Sequence, residues 1–148
     1  MINVKVNFKS SILRQEGDRM YYSMKDVTLK TGLPAYVLRY YEKEGLLPSI
    51  TRTKSGIRKF TDKDLELLGL ICCLKKTGMS IKQIKDFVEL SMQGDNTLKE
   101  RCELLREHKE NVEIRIKEMS DHLDKVSHKL EYFTSQYDRF SNGDGPYK

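Results

Sequence analysis

No stretch of this 148-residue chain approaches the about 18 consecutive apolar residues that a membrane span requires, which excludes a helical membrane protein. The opening MINVKVNFKSSILRQEGDRM lacks the unbroken apolar segment and small-residue cleavage site of a secretory signal. Residues 1–20 are therefore expected to be a loosely ordered extension. Cysteine is scarce and odd in number, with Cys72 and Cys73 adjacent and Cys102 distant. That count does not build a disulfide framework, so a reducing cytoplasm is the expected location. Missing too are a glycine-rich phosphate loop, a Ser or Cys nucleophile with a paired base, and a metal-binding cluster. His108, His122 and His128 are not spaced as ligands and are better explained as solvated flanks of a helix. Neither an enzyme nor a cofactor is expected.

What the chain does have is charge, placed unevenly. Residues 21–82 hold 12 Lys and Arg against 6 Asp and Glu, whereas residues 97–140 hold 9 against 10. A basic first half joined to a balanced second half is the electrostatic footprint of a part that meets phosphate beside a part that meets protein. Hydrophobic residues make up 38% and charged ones 33%, a composition suited to one compact domain of about 100 residues plus an extended element.

Helix starts are legible in four places, where Ser or Thr is followed three residues later by an acid or amide: Ser23 with Asp26, Thr61 with Asp64, Ser80 with Gln83, and Thr97 with Glu100. In such a box the hydroxyl accepts from a first-turn N–H and the longer side chain reaches back. Gly32, Gly45, Gly78 and Gly94 fall where those helices would stop, and Pro34 opens a further helix just after the first stop. The pattern predicts helix, short turn, helix, irregular or hairpin segment, two helices, then one very long helix.

The second helix, from Pro34 to about Glu44, carries two stripes. Val37, Leu38 and Tyr41 can face a core, while Tyr36, Arg39, Tyr40 and Lys43 recur at helical spacing on another side. Arginine and lysine supply phosphate or guanine contacts, and tyrosine offers a hydroxyl with a flat face for sugar or a thymine methyl. An isolated stripe of this kind would be an ordinary solvated face; one that follows a capped helix and a short turn is a reading helix. Beyond it, ITRTKSGIRKF contains a plausible turn at Lys54-Ser55-Gly56 between two short arms. As a hairpin it would carry Arg52, Lys54, Arg58 and Lys59 on a protruding wing that grips backbone phosphates; the alternative is a basic loop.

From Leu98, alternating steps of four and three reach Cys102, Leu105, Lys109, Val112, Ile116, Met119, Leu123, Val126, Leu130, Phe133, Tyr137 and Phe140. Lys109 alone interrupts the apolar seam, where a polar residue fixes register at a cost in stability. A 3.5-residue repeat held for about six heptads is a coiled coil. No second long helix in the chain is available to cover it, so homodimerisation is expected, and two reading helices would then bind a pseudo-palindromic site. The flanking Arg101, Arg115 and Lys129 do not select parallel or antiparallel pairing.

The stretches YYSMKDVTLKTGLPAYVLRYYEKEGLLP and SGIRKFTDKDLELLGLICCLKKTGMSIKQIKDF resemble the DNA-binding domain of the MerR family of transcription regulators over residues 21 to about 90. LRYYEKEGLLP and SGIR are far more specific than a generic helix-turn-helix. The chain is thus expected to be mainly α, with a winged helix-turn-helix over residues 21–94, a dimerisation coil over 95–140 and a flexible tail over 141–148; the resemblance implies that the coil is antiparallel. It implies that the helix holding Tyr36, Arg39 and Tyr40 enters the major groove, that Arg58 holds backbone, and that the turn around Lys75 to Met79 forms a second wing. Ile57 departs from the aromatic residue that many relatives carry. The family mechanism is distortion of a promoter so that RNA polymerase can use it.

For the effector, drug-binding relatives append a large C-terminal domain, whereas this chain runs from its coil into SNGDGPYK; metal-sensing relatives place a thiolate at the start of the long helix, and Cys102 lies too deep for that. Cys73 resembles the cysteine of a short-chain subgroup that responds to aldehydes and other thiol-reactive electrophiles, and Lys75 and Lys76 would favour its thiolate against the opposing helix C-terminus. A purely structural role for Cys73, another small-molecule or metal effector, and a coiled-coil scaffold that never meets DNA are the competing readings. Cys72, aligned with Leu65 and Leu68, is assigned to the core.

Overall fold

The computed structural model describes residues 14–16 and 19–143, with side chains from Tyr21 onward. The expectations for residues 1–13, 17, 18 and 144–148 lie outside the described residues. In the described remainder of the first twenty residues, β1 (Arg14–Glu16) pairs antiparallel with β2 (Arg19–Tyr21), Arg14 opposite Tyr21. This hairpin is absent from the sequence reading, which treats the whole segment as loosely ordered.

The helical order follows as α1 (Met24–Thr31), α2 (Ala35–Lys43), α3 (Asp62–Lys76), α4 (Ile81–Met92) and α5 (Leu98–Ser141), with the two-stranded hairpin β3 (Thr51–Arg52) and β4 (Arg58–Lys59) between α2 and α3. A mainly helical, winged helix-turn-helix with a long terminal helix is thus the observed fold class. Two compact units divide between Arg101 and Cys102.

Three of the four expected helix starts form as reciprocal boxes. Ser23, Thr61 and Ser80 each accept from the backbone N–H three residues on, and Asp26, Asp64 and Gln83 each accept from the backbone N–H of the capping residue. The Ser23 backbone N–H, donating at 2.8 Å, holds the Asp26 carboxyl below the usual carboxylate range. The fourth box does not form. Thr97 is buried, and its hydroxyl donates to the carbonyls of Leu90 at 2.6 Å and Gly94 at 2.8 Å. Its hydroxyl proton is given to the end of α4, and a 3-10 turn, Asp95–Thr97, leads into the last helix, which still starts at Leu98. Pro34 stands one place earlier than expected, as the cap of α2, because its ψ of 151° is extended.

α1 ends where Gly32 takes φ +72°, a left-handed conformation that side chains resist, and returns its N–H to Thr28 O at 3.0 Å. The turn to α2 is therefore short, with Leu33 N–H donating to the Thr31 hydroxyl.

The core of the first unit joins every element of that turn. Val27 of α1, Leu38 and Tyr41 of α2, Leu46 and Leu47 after it, Phe60 behind β4, Leu65, Leu68, Ile71 and Leu74 of α3, and Ile84, Phe87 and Val88 of α4 are all buried. Each such side chain contributes roughly 1.5–3 kcal/mol. Tyr22 and Phe60 exchange backbone hydrogen bonds of 2.8 and 2.9 Å, which ties the entry to α1 against the return strand of the hairpin. Asp64 is fully buried; it accepts from the Thr61 backbone and hydroxyl at 2.8 and 3.0 Å and from the Ser49 hydroxyl on its other oxygen.

α5 runs 44 residues, roughly 66 Å at about 1.5 Å per residue. Ile116, Met119, Leu123, Val126, Leu130 and Phe133 are 62–69% exposed within the single chain, and Leu105 and Val112 are half-buried. No helix among the described residues is long and apolar enough to cross a membrane.

Two outcomes follow from this packing. Asp64→Ala should lower stability by about 2–3 kcal/mol, since it strips a helix cap and leaves the Ser49 hydroxyl without its acceptor, read as the midpoint shift in urea unfolding. The Tyr22 phenol, pushed up to about 12 chiefly by burial and then by donation to Asp62 at 2.8 Å, favours its protonated form when folded. Its stabilising contribution is complete below pH about 10 and is lost as pH rises through about 12. Absorbance of the phenolate should show a tyrosine titrating late, and Tyr22→Phe should remove that component.

Candidate nucleic-acid interface

The outward stripe of α2 exists because its inward stripe is consumed by the core. With Leu38 and Tyr41 buried, the 3.6-residue period turns Tyr36, Arg39, Tyr40 and Lys43 to solvent. Tyr36 is 70% and Tyr40 46% exposed, and Arg39 and Lys43 are exposed. An exposed tyrosine pair flanked by two cations, on a helix that follows a tight turn, offers hydroxyls, flat apolar faces and positive charge to the edge and backbone of a nucleic acid. The Tyr40 ring lies 6.0 Å from that of Tyr41 and tilted by 47°, so it leans on the core-facing ring beside it.

The hairpin is positioned by the same core. Leu46 and Leu47 anchor the segment leaving α2, with Leu46 N–H donating to Tyr41 O at 2.9 Å. β3 and β4 then pair with Thr51 opposite Lys59 and Arg52 opposite Arg58. The turn closes by hydrogen bonds from Thr53 N–H to Ile57 O at 2.7 Å and from Gly56 N–H to Thr53 O at 2.9 Å. Gly56 has φ +85°, which explains glycine at that corner. Lys54 and Ile57 are exposed near the tip. Lys59 lies 4.8 Å from the centre of the Tyr21 ring.

Arg58 does not project into solvent as the sequence suggests. Its Nε donates to Oε2 of Glu42 on α2, and the side chain is only 24% exposed. Arg52 donates to the other oxygen of Glu42 at 3.3 Å and to Gly56 O at 3.0 Å. Glu42 is the functional residue that sequence reasoning passes over. Its only local signal is a carboxylate at the edge of a cationic helix face, and its partners lie 10 and 16 residues away.

The cysteines fall on different sides of α3 and on α5. Cys73 is exposed, and its carbonyl accepts from the N–H of Thr77 at 3.0 Å and from the Thr77 hydroxyl at 2.8 Å. Cys72 is half-buried rather than fully enclosed. Burial pushes its thiol up, with the Lys76 charge opposing. Burial also raises the Tyr41 phenol, with a smaller contribution from Cys72. Cys102 is exposed on α5. The segment after α3 turns at Thr77 and Gly78, with Met79 buried and its N–H donating to Leu74 O at 2.9 Å; this is the stretch expected to form a second wing. Among the described residues, no three His, Cys, Asp or Glu side chains come together as a metal-binding group.

Known proteins share this arrangement. The MerR HTH family regulatory protein model matches residues 22–90, and the MerR DNA-binding model matches residues 65–128. An uncharacterised HTH-type transcriptional regulator of Haemophilus influenzae is 46% identical over 114 residues, spanning 77% of this chain and 84% of its own. Among solved structures, HiNmlR, a MerR family regulator lacking the sensor domain and bound to promoter DNA, is 44% identical with a TM-score of 0.74, covering 80% of this chain and 94% of that one. A MerR family regulator of Bacillus thuringiensis is 37% identical with a TM-score of 0.70, covering 76% and 99%. These relatives are regulators rather than enzymes, and the protein is a DNA-binding transcription regulator of the MerR family.

Proposed function

We propose that the protein acts as a homodimer which lays the Tyr36–Lys43 face of α2 into the major groove of promoter DNA and grips the flanking backbone with the β3–β4 wing. The observation that carries this reading is the exposed aromatic and cationic stripe of α2 beside a basic hairpin, in a chain 44% identical to a regulator crystallised on promoter DNA. Residues 21–94 form the duplex-facing part, and residues 95–140 the pairing part.

Pairing is supported by the seam of α5. Six large apolar side chains more than 60% exposed, repeating every three or four residues, make an apolar surface far larger than a monomer leaves wet. A second copy of the same helix covers it with matching periodicity. Two α2 helices so linked read a pseudo-palindromic site, and distortion of the DNA between the half-sites, at a few kcal/mol, sets whether RNA polymerase uses the promoter. In this reading the protein is a cytoplasmic activator in a stress response.

The effector is an aldehyde or another thiol-reactive electrophile, with Cys73 as its target. Support comes from the exposure of Cys73. The Cys73 thiolate adds to the carbonyl carbon of an aldehyde, forming a C–S bond, while the oxygen takes up a proton from water to give a hemithioacetal. Modification of Cys73 then shifts the wing and the coil.

Leu123→Lys combined with Val126→Lys should yield a monomer in sedimentation equilibrium and weaken binding to a two-half-site duplex by about tenfold or more; a variant that still dimerises would remove this seam from the interface. Arg39→Ala should cost about 1–3 kcal/mol at the protein's own site. Lys54→Ala should weaken binding to all duplexes alike and reduce the salt slope by about one. In a reporter assay, Cys73→Ser should abolish induction by formaldehyde while operator binding persists; undiminished induction would point to a different effector.

A further inference from the structure

We propose that Glu42 is a positioning residue for DNA recognition: its carboxylate sets the angle between the wing and the groove helix, so that discrimination among sequences depends on a residue that touches no base or phosphate. The proposal rests on the reading of α2 and the hairpin as duplex-facing.

Glu42 stands where two local rules disfavour it. It is the penultimate residue of α2, where the partial negative charge of the helix end repels a carboxylate. It also lies at the edge of the α2 face that carries Arg39 and Lys43, close enough to a bound polyanion for its negative charge to weaken attraction. A residue that breaks both rules needs a compensating partner, and Glu42 has two. Arg58 donates through Nε to Oε2, and Arg52 donates to Oε1 at 3.3 Å.

Those arginines face each other across the hairpin in register, an arrangement of like charges that is unfavourable by itself. The carboxylate between them removes the repulsion. Arg52 also crosses to Gly56 O at 3.0 Å, so one carboxylate connects the helix, both strands and the turn. Each strand is two residues long, too short for the ladder to hold its own direction. Glu42 and Arg58 are each 24% exposed, so the pair is less screened than an open surface bridge.

The consequence for recognition is one of register. Phosphate contacts position a protein and base contacts specify its site. A wing free to swing can reach phosphates from several registers, while a wing fixed to α2 reaches them only when the groove helix is seated. Holding Arg58 through Nε leaves its two terminal amino groups to turn to a phosphate.

Wild-type protein is first used to select a consensus from a random duplex library. Failure to enrich any sequence would defeat the DNA-reading role itself. Glu42→Gln is then compared with wild type on the selected duplex and on a shuffled one. The expected result is tighter binding to the shuffled duplex, a salt slope steeper by about one, and a ratio of selected to shuffled affinity lower by about tenfold. Equal strengthening on both duplexes would mean that Glu42 acts only as a charge, and would overturn the proposal. Arg58→Lys keeps the charge and loses the planar donor; it should lower the ratio as Glu42→Gln does, without steepening the salt slope. The double variant should fall no further than either single one. Additive losses would also overturn the proposal, as would an unchanged ratio for Arg58→Lys alone, a comparison that stands even where Glu42→Gln folds poorly.

Discussion

The helix-turn-helix and its hairpin depend on one backbone crossing, where Tyr22 and Phe60 exchange hydrogen bonds and Phe60 is sealed in the core. Residues 38 positions apart are joined there, and the crossing puts the entry to α1, the return strand of the wing and the start of α3 in one place. Asp64 sits one helical turn further on, wholly buried, and ties the loop after α2 to that same start through Ser49. The wing and the groove helix therefore share a single foundation, and the exposed stripe of α2 is what remains once its other side has been spent on that core.

Much of this was legible because its signals are local. A capping box spans four residues, so Ser23, Thr61 and Ser80 announce their helices without knowledge of the rest of the chain. The same pattern misleads at Thr97, where a hydroxyl needed as an acceptor serves as a donor to the preceding helix; only the path of the chain brings Leu90 O within reach. The stripe of α2 and the seam of α5 were visible because a helix repeats its faces regularly. The hairpin at Arg14–Tyr21 was not, since three-residue strands are too short to show alternation.

Glu42 marks the limit of that legibility. Its identity is plain, but its role depends on two arginines brought back by a hairpin whose own strands scarcely register as periodic. The family motif through LRYYEKEGLLP and SGIR contains all of the parts without stating how they connect. A similar distance separates the cysteines from their meaning: Cys72 and Cys73 are neighbours in sequence, yet α3 leaves one half-buried and the other open to solvent.

The order of the two units along the chain bears on how the protein is made. The unit ending at Arg101 has its own core and its helix caps built from neighbours three residues apart, the kind of short-range wiring that folds quickly. It leaves the ribosome before α5 does, and N-terminal units fold first during synthesis. The unit that carries the helix-turn-helix can thus be complete while the long helix that follows is still being translated, so that pairing of the kind proposed would join finished pieces instead of entangling unfinished ones.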